Sequence, residues 1–264
     1  MLNNFILMPH YVQALIATIF TWSITTLGAA IVFFFKKINK NILDLMLSLS
    51  AGIMIAASFW SLLDPAIKRA NELQLCVWKV ILISFMVGSL FLFLGDIIFS
   101  HLLEAKKEDN RLKRCWMLIF SITIHNIPEG LAVGVAFGSL ATNNSNAALM
   151  AALMLALGIG IQNFPEGTAV SLPLRREGLT RGKSFIIGSL SGIVEPIAAI
   201  IGSILVMKIT YILPYFLAFA AGAMMYVVIE ELIPESQTND NKGLVTLFGL
   251  LGFSIMMVLD VALG

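Results

Sequence analysis

Charged residues are scarce in this sequence. They make up 12% of the 264 residues, whereas 58% are hydrophobic, and the mean hydropathy is +0.91. A soluble globular domain cannot bury that much apolar surface, so the composition excludes one and predicts that a lipid bilayer surrounds most of the chain. The net charge of +1 gives no sign of a nucleic-acid partner.

Cysteine is rare as well. The two cysteines, Cys76 and Cys115, are too few for a disulfide framework. The motif H-E-x-x-H of zinc proteases is absent, and the longest polar loop, about 101–115, is too short to fold as a separate domain. Any function must therefore reside in the hydrophobic segments, and the sequence predicts neither a catalytic residue nor a catalytic cofactor.

Long apolar runs are what the sequence does contain. A helix needs about 20 apolar residues to cross a bilayer, and a membrane β-barrel would show shorter alternating segments instead. We therefore predict an all-α integral membrane protein in which residues 1–264 form a single polytopic domain of eight transmembrane helices. The predicted spans cover approximately 11–35, 41–63, 78–100, 116–140, 148–172, 184–207, 211–233 and 244–263.

Most basic residues lie in alternate loops, namely those after the first, third, fifth and seventh predicted helices. These loops hold Lys36, Lys37, Lys40, Lys106, Lys107, Arg111, Lys113, Arg114, Arg175, Arg176, Arg181, Lys183 and Lys242. Loops rich in lysine and arginine remain in the cytoplasm. We therefore expect a multi-pass protein of the cell (inner) membrane with both termini outside the cytoplasm.

Two segments repeat at a constant offset. HNIPEGLAV at 125–133 and QNFPEGTAV at 162–170 share Asn, Pro, Glu, Gly, Ala and Val, and they fall on consecutive antiparallel helices. A weaker repeat, at an offset of 170, links AGIM at 51–54 with AGAM at 221–224. Inverted repeats of this kind are typical of secondary transporters. Simple packing by small residues is an alternative explanation of the weaker match.

Ionisable side chains inside transmembrane helices are costly and usually functional. Glu129, Glu166 and Glu195 all lie well inside predicted spans, and the helical rise of about 1.5 Å per residue places them in one slab of the membrane. His125 precedes the first glutamate by four residues, and Gln162 precedes the second by four, so each pair shares a helix face. A shared polar site between the helices is therefore predicted.

The residue types in this slab indicate a divalent metal ion. Asn126 and Asn163 lie three residues before the motif glutamates. Imidazole suits zinc, iron, copper and nickel, while carboxylate and carbonyl oxygens suit harder ions such as manganese. Helix-to-helix hydrogen bonding is the alternative role for Gln162 and Asn163, and core packing is the alternative role for Met54, which lies at a similar depth.

Three other functions were weighed against metal transport. A calcium exchanger, working against protons or sodium, also uses acidic repeats in antiparallel helices, but imidazole and amides favour transition metals over calcium. An intramembrane metalloenzyme needs an open water position on the metal and a general base. A purely structural scaffold gives no reason for buried carboxylates. The exchanger is the alternative that stays open.

The motifs HNIPEG and QNFPEG, with SGIVEP at 191–196 and AAGAMMYVVIEELIPES at 220–236, resemble the ZIP (Zrt-, Irt-like protein) family of divalent metal transporters, and QNFPEG resembles its GufA-type branch. The resemblance implies a ZIP-like fold of 3+2+3 helices. It also implies transport of Zn²⁺ toward the cytoplasm, with Fe²⁺, Mn²⁺ and Cd²⁺ as further substrates, and often a homodimer in the bilayer.

The same resemblance implies a two-metal site. One position would be formed by His125, Glu129, Gln162 and Glu166. The other would be formed by Asn126, Asn163 and Glu195, with the two motif glutamates bridging, and Met54 matches a methionine that the second helix contributes. Asn163 departs from the family pattern, because related bacterial proteins often carry a carboxylate there.

Overall fold

The structure is a computed structural model that describes residues 5–34, 40–105, 110–141, 145–176, 178–208, 210–237 and 241–263, apart from some side chains within the helices. Eight long helices make up nearly all of this part of the chain. They are α1 His10–Phe34, α2 Asn41–Glu72, α3 Val77–Ala105, α4 Asn110–Ser139, α5 Asn146–Arg176, α6 Arg181–Met207, α7 Leu213–Ser236 and α8 Lys242–Leu263.

Seven of these helices, all except α4, are long and apolar enough to cross a membrane when judged on the described residues. Helix α4 carries the HNIPEG motif, and its 30 residues give it a length of roughly 45 Å. Many of its side chains lie outside the described part. The predicted all-α membrane architecture is confirmed.

The helices pack in two groups of four. In the first group α1 packs against α5 and α6, and α4 packs against α6. In the second group α2 packs against α8 and α7, and α3 packs against α7. The groups meet mainly where α2 contacts α5 and where α7 contacts α4. The main buried hydrophobic cluster includes Met54, Phe137, Ile159 and Met224, and it therefore spans both groups.

Close helix crossings occur in matching pairs, as an internal repeat requires. A Cβ on Gly52 of α2 would collide with the backbone of Gly249 in α8. A Cβ on Gly222 of α7, which lies 170 residues after Gly52, would collide with the backbone of Phe85 in α3. The crossing of α2 with α8 is thus repeated by the crossing of α7 with α3.

Single π-helical turns interrupt α2 at Ser58–Leu63 and α7 at Val228–Leu232. Their first residues are again 170 positions apart. Each turn is followed by a proline, Pro65 or Pro234, at the start of the next α-helical segment, where a missing backbone N–H is tolerated. The weaker sequence repeat therefore reflects equivalent structure and not only packing by small residues.

A cavity of about 530 Å³ opens at the end of the bundle where α2, α4 and α8 finish and where α5 and α7 begin. Its lining comes from both helix groups and includes Trp60, Leu155, Leu217 and Asp260. On α5 the lining ends at Leu155, about 10 Å along the helix before Gln162. The cavity therefore stops two helical turns short of the predicted site.

Candidate metal site

The motif glycines place the motif glutamates at helix crossings. Gly130 of α4 lies against the backbone of Glu195 in α6, and Gly167 of α5 lies against the backbone of Thr25 in α1. A Cβ on either glycine would collide with that backbone. Because each glycine directly follows a motif glutamate, the two carboxylates lie where the helices of the first group approach most closely.

Six of the predicted ligands are fully buried in this region, and we call them the central cluster. They are Asn126, Glu129, Gln162, Asn163, Glu166 and Glu195, and none is more than 1% exposed. Hydrogen bonds connect them between helices. Gln162 Nε2 of α5 donates to Glu129 Oε1 of α4, and Asn163 Nδ2 of α5 donates to Glu195 Oε1 of α6 at 2.9 Å.

Two hydroxyl residues outside the motifs also contact the central cluster. Thr21 Oγ1 of α1 donates to Glu195 Oε2 at 2.5 Å, and Ser50 Oγ of α2 donates to Glu166 Oε1 at 3.3 Å. Both hydroxyl residues are fully buried. Helix α2 belongs to the second group, so the Ser50 contact joins the two helix groups at the site.

Sequence reasoning missed both hydroxyl residues. Serine and threonine in helices usually hydrogen-bond a carbonyl of their own helix, so neither residue stands out in an apolar segment. One signal was present: Thr21 lies 170 residues before Ser191, the first residue of SGIVEP. Applying the offset of the weaker repeat to that motif would have identified Thr21.

The amide side chains of the central cluster direct their nitrogens toward protein acceptors. Besides the Gln162 and Asn163 bonds, Asn126 Nδ2 donates to the backbone oxygen of Ser191 at 3.0 Å. The amide oxygens consequently point elsewhere. Four buried oxygen atoms have no hydrogen-bond partner among the described residues of the cluster: Asn126 Oδ1, Glu129 Oε2, Gln162 Oε1 and Asn163 Oδ1.

Unpaired buried oxygens next to carboxylates form an electron-rich site without donors. Leaving a polar atom buried and unpaired costs about 1–3 kcal/mol, and a cation that accepts these lone pairs removes that cost. No three His, Cys, Asp or Glu side chains converge into a metal site by themselves in the part of the chain that is described. Amide oxygens therefore have to take part in any site built here.

Two predicted ligands require separate comment. The side chain of His125 lies outside the described residues, so its role as a ligand stays a prediction. Met54 is fully buried and belongs to the main hydrophobic cluster. Core packing and lining of the metal path therefore both stay open for Met54.

Known proteins resemble this chain along most of its length. A family model described as ZIP Zinc transporter matches residues 108–260. The chain is 37% identical to Zinc transporter ZIP11 of Homo sapiens, over 96% of this chain and 97% of that protein. It is 34% identical to Zinc transporter ZIPB of Bordetella bronchiseptica, over 91% and 78% of the two chains. It is 31% identical to Zinc transporter GufA of Myxococcus xanthus, over 95% and 98%.

Proposed function

Because this chain belongs to the ZIP family of zinc transporters, we propose that it carries Zn²⁺ through the central cluster and toward the cytoplasm. Family membership makes the protein a transporter and not an enzyme, and it confirms the resemblance found in the sequence. The protein is a multi-pass membrane protein that transports divalent metal ions. The identity of the ion, its direction and its ligands are the proposal.

One observation carries this proposal above the others. The central cluster contains four buried oxygen atoms that lack a hydrogen-bond donor among the described residues. Three belong to amides whose nitrogens are already bonded to protein acceptors. Such a site repels anions and attracts a cation. Because the cluster is fully buried, the cation has to shed water and accept protein ligands in its place.

We propose the ligand set that follows from the motifs. His125, Glu129, Gln162 and Glu166 form one metal position. Asn126, Asn163 and Glu195 form the other, with the two motif glutamates bridging, so that the site is binuclear. Met54 supplies a thioether beside them. Imidazole and carboxylate together suit Zn²⁺, and the oxygen-rich remainder also suits Mn²⁺ and Fe²⁺, with Cd²⁺ accepted through the softer ligands.

Zinc uptake into proteoliposomes tests the proposal. We expect saturable uptake by the wild-type protein and its loss in Glu129→Gln and Glu166→Gln, because each substitution removes a charge that the cation must have in a buried site. Glu235→Gln is the matched control, since Glu235 is an exposed glutamate at the end of α7. Uptake at the wild-type rate in either motif variant would falsify the proposed site.

The calcium exchanger is tested by the same experiment. An all-oxygen set of amides and carboxylates is also a ligand set for Ca²⁺, so the unpaired oxygens alone do not separate the two ions. Competition does. We expect Zn²⁺, Cd²⁺, Fe²⁺ and Mn²⁺ to inhibit labelled zinc uptake and Ca²⁺ not to inhibit it. Calcium uptake that zinc leaves unchanged would favour the exchanger.

The surroundings of the molecule complete the proposal. We place it in the cell (inner) membrane as one membrane domain of residues 1–264, with both termini outside the cytoplasm. The loops between α1 and α2 and between α3 and α4 are basic, which supports that orientation. We also propose that it functions as a homodimer, as the family resemblance implies.

A further inference from the structure

Thr21, Asn163 and Glu195 are joined by a closed ring of hydrogen bonds. Thr21 Oγ1 donates to Glu195 Oε2 at 2.5 Å, and Asn163 Nδ2 donates to Glu195 Oε1 at 2.9 Å. Asn163 Nδ2 also lies 3.4 Å from the backbone oxygen of Thr21, which accepts its second hydrogen. All three residues are fully buried, and they come from α1, α5 and α6.

The ring fixes two side chains that face the proposed metal position. Both hydrogens of the Asn163 amide are used, so the amide plane is set and its Oδ1, which has no partner among the described residues, points away from the ring. Each oxygen of the Glu195 carboxylate accepts one hydrogen bond and keeps further lone pairs for a cation. Ligands held in this way lose little conformational freedom when a metal binds.

The internal repeat shows that the hydroxyl is an addition to a shared arrangement. Asn126 is the counterpart of Asn163, and it donates to the backbone oxygen of Ser191, just as Asn163 donates to the backbone oxygen of Thr21. At the position that corresponds to the carboxylate stands Thr25, whose hydroxyl donates to the Thr21 backbone oxygen at 3.3 Å. Within the described residues the closed ring therefore forms on only one side of the pseudo-symmetry.

We propose that Thr21 is a positioning residue of the metal site. Its hydroxyl holds the Glu195 carboxylate, and its backbone oxygen holds the Asn163 amide, so that both present oxygen atoms to the cation in a preset geometry. Thr21 itself does not touch the ion. This inference rests on the proposed zinc transport and adds to it a residue of α1, a helix that carries neither repeated motif.

Thr21→Val tests the inference, because valine keeps the shape of threonine and lacks the hydroxyl. Loss of a group that orients a metal ligand typically lowers metal affinity about 10- to 100-fold. We expect the KM for zinc uptake to rise about tenfold or more, with the maximal rate per inserted protein unchanged. Thr21→Ser retains the hydroxyl and is expected to restore the wild-type KM.

Thr18→Val is the matched control. Thr18 is also fully buried on α1, but its hydroxyl donates to the backbone oxygen of Ala14 in its own helix at 2.8 Å. We expect the KM of this variant to match the wild-type value. Zinc binding to the detergent-solubilised variants, measured by calorimetry, provides a second readout that does not depend on the transport rate.

Three results overturn the inference. The first is a wild-type KM in Thr21→Val, and the second is a KM that rises equally in Thr18→Val. The third is a failure of Thr21→Ser to restore the KM, because a role in packing alone would produce that result. If Thr21→Val is not monodisperse in detergent, Thr21→Ala takes its place with the same expected KM. Absence of zinc uptake by the wild-type protein would instead defeat the proposed function itself.

Discussion

Asn163 is the residue at which this chain presents an amide to a buried carboxylate. Its Nδ2 lies 2.9 Å from Glu195 Oε1. In Asn163→Asp two carboxylates would face each other at this distance, and both can be charged only with a cation between them. We expect the variant to unfold at a lower temperature than the wild type without metal and to gain more stability when zinc is added.

Thermal unfolding in detergent, with and without zinc, measures both effects. Asn146→Asp is the control, because Asn146 is an exposed residue at the beginning of the same helix. We expect no zinc-dependent difference between that control and the wild type. A metal-free Asn163→Asp protein as stable as the wild type would contradict the close contact between residues 163 and 195.

The ligand types at the site could be predicted residue by residue, but most of their contacts could not. Glu129 and Glu166 were identifiable because charged residues in apolar helices are rare and because their motifs repeat. The contacts of Thr21 and Ser50 depend on which helices are neighbours, and spacing along one helix does not contain that information. The amide orientations depend in turn on these contacts.

At the scale of helices, the crossing of α4 with α6 determines the position of the site. Gly130 lies against the backbone of Glu195, so an added methyl group must push the two helices apart. Overpacking of this kind costs about 1–3 kcal/mol. We expect Gly130→Ala to lower both thermal stability and zinc uptake, which are measured by unfolding in detergent and by proteoliposome flux.

Gly182→Ala is the matched control for this helix crossing. Gly182 lies in α6, and a Cβ there would meet no atom within 4 Å. Alanine favours a helix over glycine by roughly 1 kcal/mol, so we expect unchanged or higher stability and normal uptake. If Gly130→Ala behaves like Gly182→Ala, the close approach of α4 and α6 is not needed for the site.

The limits of the helices were less predictable than their existence. Helix α2 continues beyond the predicted end at residue 63 to Glu72, because the π-helical turn at Ser58–Leu63 carries the helix through to Pro65. A polar segment that contains proline usually indicates that a helix has ended. A π turn has no sequence signal of its own, so the continuation could only be seen in the structure.

At the scale of the whole molecule, the grouping of helices could not be read from the sequence. Lipid tails are as apolar as leucine, so the hydrophobic pattern does not distinguish a helix face that contacts lipid from one that contacts another helix. Small residues mark helix contacts but not the partner. The crossing of Gly52 with α8 and the equivalent crossing of Gly222 with α3 became interpretable only as a pair.

The inverted repeat also determines what a second conformation of this protein looks like. The present cavity is lined by Leu213, Leu217 and Asp260 on one end of the bundle. Their counterparts on the other end include Leu43 and Leu47, which lie 170 residues earlier and are buried. If each half adopts the arrangement that its counterpart has here, the cavity closes and an equivalent cavity opens around Leu43 and Leu47.

Cysteine labelling measures this exchange in a background in which Cys76 and Cys115 are replaced by serine. We expect Leu217→Cys and Leu47→Cys to react with a membrane-impermeant maleimide from opposite sides, and any condition that increases labelling of one to decrease labelling of the other. Simultaneous labelling of both under all conditions would contradict the exchange. In a chain built from two inverted halves, alternating access requires only that the halves trade conformations, so both end states are encoded by the same set of packing contacts.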